Sequence, residues 1–267
     1  MNSPVISVEH LTKHYRGARE AAVDDISFTV GAGEFFALLG QNGAGKTTVV
    51  SILTTALSKT SGRVAIAGYD LDRQARDVRN RIGVIFQRPS LDLDLSAEEN
   101  IRLHACVYGM YAYRPFFRWM PKAYRERVTH LAEVVGLQDK LWKPLKTFSG
   151  GMRRKVEIIR SLIHEPAVLF LDEPTQGLDP LSRRALWEYI NEKRKETGAT
   201  VFLTTHYIDE AENVDALCMI HKGKIVFSGP PATLKNTLRQ ETLEDAYIEL
   251  LTEGQQTGRP ALNTRRA

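Results

Sequence analysis

The nine residues GQNGAGKTT, Gly40 to Thr48, combine three glycines with a lysine and two hydroxyls. Their spacing is G-x-x-x-x-G-K-[ST], set between the apolar run EFFALLG and the helix-like KTTVVSILTTAL. In such a loop glycines let successive backbone N–H groups wrap phosphates. Lys46 reaches the terminal phosphates, and the Thr47 hydroxyl suits a Mg2+ ion. The motif predicts a nucleotide site formed by Gly40, Gln41, Asn42, Gly43, Ala44, Gly45, Lys46, Thr47 and Thr48. Alone it says no more than "nucleotide".

A second chemical cluster is AVLFLDEP, which puts Asp172 and Glu173 at the end of an apolar strand. Ligands of open α/β sheets sit at the carboxyl ends of strands, so this end is expected to face the phosphate loop. Asp172 suits the Mg2+ shell through a water. Glu173 leaves the backbone in another direction and can orient or deprotonate an attacking water. In QGLDP a tight turn holds Asp179, which on its own is more often a cap for a helix such as LSRRALWEYI. A third cluster is FSGGMRRK, Phe148 to Lys155, where a hydroxyl and two glycines open a basic helix. Such helix starts bind anions, because free N–H groups and the dipole point outward. The chain therefore holds two candidate anion sites but one phosphate loop.

Positioning these groups requires a sheet. VISVEHLT and DISFTV alternate as half-buried strands, EFFALLG is suited to a buried central strand, and RVAIAG and RIGVIFQ read as short strands. From about 96 to 165 the pattern turns helical: SAEENIRLHACVYGM, YRERVTHLAEVVGL and the helix after SGG. Strand patterns return in AVLFLDE, ATVFLTTH and ALCMIHKGKIVFSG. Strands alternating with helices predict a mainly parallel α/β sheet, with the helical stretch as an inserted subdomain. The tail TEGQQTGRPALNTRRA is polar and unpatterned and reads as disordered.

The 267 residues allow a substantial core, and 43% hydrophobic with 25% charged residues is ordinary for a globular protein. A net charge of +4 is mildly basic. It fits a solvated surface first, anionic headgroups second and nucleic acid least. Cys106 and Cys218 lie far apart in apolar runs and read as buried free thiols of a reducing compartment. The N-terminus lacks a signal-peptide pattern, and no window approaches 18 consecutive apolar residues.

Taken in order, these motifs resemble the nucleotide-binding subunit of an ABC transporter, from about Val5 to Leu251. The resemblance adds Tyr15 as an adenine-stacking aromatic, Gln87 in GVIFQ as a Mg2+ and catalytic contact, and His206 in FLTTHY as a catalytic residue. It implies a P-loop NTPase fold: an ABC-type ATPase core (about 4–95 and 166–230) with an N-terminal antiparallel β region. An inserted α-helical subdomain covers about 96–165, C-terminal helices 230–252, and the tail 253–267. ATP and Mg2+ are the implied ligands. Two such domains pair head to tail, so Ser149, Gly150, Gly151 and Asp179 would act in trans on the nucleotide of a second copy. Separate transmembrane permease subunits are the implied partners, with no nucleic acid. The implied location is peripheral, on the cytoplasmic face of the cell membrane.

FSGGM carries Met152 where many members have glutamine. With LDEPTQGLDP, FLTTHYIDEAE and TLEDAYIELL, it resembles the branch of drug, polyketide and lipid-linked exporters similar to the daunorubicin-resistance ATPases. A soluble ABC ATPase acting on the ribosome is the alternative, but those usually carry two such domains and one is read here. A DNA-repair ATPase would need a long heptad insertion, which is missing. MYAYRPFFRWMP, Met110 to Pro121, departs from the shorter, more polar link of most relatives. Pro115 breaks any continuous helix, and the aromatics keep no clean period. A local hydrophobic cluster, a contact with the membrane subunit and a contact with lipid all remain open for it.

Overall fold

A computed structural model describes residues 4–85, 91–175, 180–257 and 262–263. Gln87 and Asp179 lie outside the described residues. Along the chain, β1 (Ile6–Lys13), β2 (Val23–Val30) and β3 (Phe35–Leu39) lead into α1 (Lys46–Leu53). Then come β4 (Ser61–Ile66), β5 (Tyr69–Asp70), α2 (Ala75–Arg81) and β6 (Ile82–Ile85). Helices α3 (Ala97–Val107), α4 (Lys122–Val134) and α5 (Gly150–Leu162) follow. The chain continues with β7 (Val168–Asp172), α6 (Pro180–Thr197), β8 (Thr200–Thr205), α7 (Ile208–Ala211), β9 (Ala216–His221) and β10 (Lys224–Gly229). It closes with α8 (Pro231–Leu238), α9 (Leu243–Thr257) and β11 (Leu262–Asn263).

The strands form two sheets. One is antiparallel, in the order β2-β1-β4-β5. The other runs β11-β10-β9-β3-β8-β7-β6 and is parallel at every pairing except β9–β10. Every residue of β3, β7 and β8 is buried, as continuous apolar runs require when a sheet is covered on both faces. Side chains of β3 alternate between two cores. Phe35, Ala37 and Leu39 face the core shared with α3, α4 and α5, while Phe36 and Leu38 face β1, β2 and β4. Phe36 stacks between Phe28 and Phe202 at 5.5 and 5.0 Å, which locks the two sheets together. Where α3 begins, Ser96 and Glu99 form a reciprocal capping box.

Several details differ from the sequence pattern. α2, in ARDVRNR, has one buried residue, Val78, too few to show a period. ALCMIHKGKIVFSG divides into a hairpin, because Lys222 and Gly223 both take positive φ (46° and 77°), the backbone of a tight two-residue turn. Cys218 is buried, but Cys106 is only half-buried. The segment read as a disordered tail carries regular structure in part. α9 runs on to Thr257, and β11 pairs with Phe227 and Ser228. Extending a formed helix fixes few new dihedrals per bond, and the sheet edge offers β11 a ladder.

The 110–121 segment splits between core and surface. Met120 is buried, and Tyr111 and Phe117 are partly buried, both edge-on to the buried Tyr124. Tyr113, Phe116 and Trp119 remain exposed. Among the described residues no helix is long and apolar enough to cross a membrane.

Candidate active site

Strand order brings the chemical residues together. β3, β8 and β7 are neighbours, with Leu39 beside Thr205 and Asp172 beside Thr204. Their carboxyl ends therefore deliver the 40–48 loop, His206 and the Asp172–Glu173 pair to one edge of the sheet. Gly40 N–H donates to the Thr205 carbonyl at 3.3 Å, and Gly223 N–H donates to the Ala44 carbonyl at 3.0 Å. The β9–β10 turn thus braces the loop from outside. Gly45 starts α1 at φ 111°, and a Cβ there would lie 2.6 Å from the Ala22 carbonyl oxygen. Only glycine fits this position.

Lys46 is 4% exposed. Its Nζ donates to the Gly40 carbonyl at 2.7 Å and the Gln41 carbonyl at 3.2 Å, and lies 3.4 Å from Glu173 Oε1. Burial pulls the ammonium below the usual lysine range, and the Glu173 and Asp172 carboxylates act against that pull. Glu173 has φ 45°, a left-handed conformation that a glutamate seldom adopts, and its N–H is held by the Thr204 carbonyl at 3.1 Å. His206 Nδ1 lies 3.3 Å from the same Glu173 oxygen, within ion-pair range but off hydrogen-bond geometry. Lys46 and His206 therefore converge on one carboxylate oxygen.

Asp172 is buried, and the Thr204 hydroxyl donates to its Oδ1 at 2.5 Å. Burial raises its carboxyl above the usual aspartate range, and the Thr204 bond opposes that. A cavity of about 280 Å3 is lined by Asn42, Gly43, Gly45, Lys46, Thr47, Thr48 and Glu173, with Ala22 on its wall. Loop glycines with positive φ, a buried cation and two hydroxyls meet there, a donor set that fits a chain of phosphates with a divalent cation. At the loop's flank the Tyr15 hydroxyl is 3.3 Å from Thr48 Oγ1, and its ring is 45% exposed.

Ser149 lies elsewhere. No residue of α5 lines this cavity among the described residues. Ser149 caps its own helix, accepting from Met152 N–H at 3.3 Å, and both it and Gly150 are exposed. No atom within 4 Å would meet a Cβ on Gly150.

Three residues without a role in the sequence reading also bear on the site. Arg154, buried in α5, donates from Nε to the Pro174 carbonyl at 3.1 Å and from Nη1 to Glu157 at 2.8 Å. It ties the helix headed by Ser149 to the turn after Glu173. Glu210, also buried, accepts from the Thr205 hydroxyl at 2.6 Å and from the Thr175 hydroxyl. Burial raises its carboxyl, against the two hydroxyl bonds. The clue to Glu210 was an acid inside the apolar-periodic YIDEAE, and for Thr204 it was a hydroxyl inside an apolar strand.

Residues 23–176 match the ABC transporter family. A probable multidrug ABC transporter ATP-binding protein, YbhF of Escherichia coli, is 36% identical over 252 residues, 92% of this chain and 42% of that protein. The chain thus spans less than half the length of that relative. The daunorubicin/doxorubicin resistance ATP-binding protein DrrA of Streptomyces peucetius is 38% identical over 239 residues, 89% of this chain and 69% of that protein. A solved ATP-binding subunit of an ABC transporter superposes with a TM-score of 0.81 at 31% identity, covering 92% of this chain and 99% of that one.

Proposed function

The chain belongs to the ABC transporter family as an ATP-binding domain of the ABC ATPase type, and from that premise we propose that it hydrolyses ATP to power a separate transmembrane exporter. The names of YbhF and DrrA, with their multidrug and drug-resistance terms, support export as the direction. The observation that carries the reading is the division of the anion-binding parts. Lys46 and Glu173 line one cavity, with His206 against Glu173, while Ser149 stands exposed on a helix that does not line it. That division supports a head-to-tail pair of chains, in which Ser149 and the Gly150 and Gly151 N–H groups serve the partner's nucleotide. Such a site is complete only when the pair closes.

Within each site the residues take distinct roles. Lys46 neutralises charge on the terminal phosphates. Glu173, held off its relaxed backbone and contacted by His206, orients the attacking water and accepts its proton. Tyr15 stacks on the base. Thr47, Asp172 and Gln87 would hold Mg2+, whose bound charge would offset that of the phosphates. Permease subunits would place the chain at the periphery of the membrane, on its cytoplasmic face.

The test is phosphate release by the full chain with Mg2+ and ATP across a range of chain concentrations, with sedimentation run in parallel. A site shared by two chains gives turnover per chain that rises as dimers form. Full turnover from a chain that sediments as a monomer with ATP overturns the shared site.

A further inference from the structure

We propose that the exposed aromatic face of residues 113–119, together with Trp142, docks on the headgroup layer of an anionic lipid bilayer. Four large rings stand half out of the surface here: Tyr113 at 59%, Phe116 at 51%, Trp119 at 53% and Trp142 at 56% exposure. Two of them touch, and a third packs on the neighbouring Phe117. Phe116 meets Trp119 edge-on at 4.7 Å, and Trp142 meets Phe117 at 4.9 Å. Arg118 spreads its guanidinium over the Phe116 and Trp119 rings at 5.4 and 5.7 Å.

The segment is anchored from beneath. Buried Arg102 donates to the Arg114 carbonyl at 2.8 Å while paired with buried Glu98 at 3.2 Å, and the Tyr124 hydroxyl donates to the same Glu98 at 3.0 Å. Met120 is buried beyond the rings. The aromatics are thus presented on a fixed base.

Charge chooses the occupant. Beyond the buried Arg102, residues 103–125 hold four cations and no acid, and of these Lys122 pairs with Glu126 at 3.5 Å. Arg114 and Arg118 are exposed, and neither forms an ion pair with a described residue. Lys140 and Lys143 are exposed on either side of Trp142. Indole and phenol rings that are apolar at the face and polar at the tip settle at the bilayer–water boundary, and arginines beside them meet lipid phosphate. Affinity there adds buried apolar area to attraction for anionic lipid. The contact follows from this surface chemistry and does not depend on ATP hydrolysis or on a permease.

The test uses the full chain and vesicles of phosphatidylcholine with or without phosphatidylglycerol. Sedimentation with phosphatidylglycerol vesicles, weakened by added salt, is expected. Trp119 and Trp142 are two of the three tryptophans, and the third, Trp187, packs on Phe35 at 5.9 Å. Brominated lipid should therefore quench most of the fluorescence that is accessible to lipid. Replacing both arginines (Arg114→Gln, Arg118→Gln) should weaken binding about fivefold for each, or ~1 kcal/mol per side chain. The pair Phe116→Ser and Trp119→Ser should abolish it, with the thermal unfolding midpoint retained. Wild-type chain that ignores phosphatidylglycerol, or variants that bind as wild type does, overturns the proposal. So do variants that bind vesicles normally but no longer assemble with a membrane subunit, an outcome that assigns the face to protein.

Discussion

Nζ of Lys46 lies 3.4 Å from Oε1 of Glu173, with both side chains more than nine-tenths buried. Lys46→Ala therefore does two things. It removes the charge proposed to meet the terminal phosphates, and it leaves a buried carboxylate without its cation. Turnover is expected to fall roughly 100- to 1,000-fold or more, with a lower urea midpoint as well. Near-normal ATP hydrolysis by this variant would remove the 40–48 loop from the mechanism.

Glu173→Gln keeps the side-chain shape and the contact distance to Lys46 and loses the base. ATP should bind while hydrolysis falls by roughly 100- to 10,000-fold, so the closed pair accumulates. Light scattering with ATP should report dimers that ADP does not produce. A variant that stays monomeric with ATP and keeps its activity assigns Glu173 another role.

Ser149→Arg should spare nucleotide binding at the chain's own loop and stop turnover. Mixing it with Lys46→Ala chains is more discriminating. If the site is shared, a mixed pair puts both defects on one nucleotide and leaves the other site intact, so about a quarter of the sites should recover. Two inactive chains that stay inactive together place Ser149 in cis.

His104 supplies a pH test of the fold. It packs against Tyr108 at 4.3 Å and faces His164, with Arg160 nearby in charge. Burial first, then the positive Arg160 and His164, lower its pKa from 6.5 to about 3. The folded protein thus holds it neutral. Between those values the unfolded chain binds more protons, so its contribution is whole above pH 6.5 and is lost as pH falls toward 3. Wild type should lose on the order of 1–2 kcal/mol through this group between pH 7 and pH 5. His104→Leu should flatten that part of the curve, and an unchanged slope in urea titrations would show that His104 does not carry it.

Glu210 accepts from the two fully buried hydroxyls of Thr175 and Thr205. Glu210→Ala strands both and should cost roughly 2–4 kcal/mol. Glu210→Gln keeps an acceptor and should cost less than half of that in chemical denaturation. Equal losses from the two variants would mean that packing, not hydrogen bonding, sets the effect.

Legibility tracked how local the signal was. β3 and β7 read as buried strands because FFALL and VLFLD are unbroken apolar runs, and the phosphate loop read directly because its glycines sit at set spacings. Arg154 and Glu210 were opaque because their partners, Pro174, Thr175 and Thr205, come from other elements. The same holds for the left-handed backbone at Glu173, which nothing in its side chain announces. Residues 110–121 were ambiguous for a physical reason: the segment does both things, burying Met120 while leaving Trp119 exposed.

The bond from Arg154 to the Pro174 carbonyl has a mechanical meaning if the chains pair head to tail. Ser149 heads α5 and would grip one nucleotide, while Glu173, next to Pro174, works on the other. A single guanidinium then gears the two sites together. If α5 shifted on the partner's phosphate, the turn behind Glu173 would be pulled with it, so each chain would sense the occupancy of its neighbour's site through the carboxylate proposed to drive its own hydrolysis.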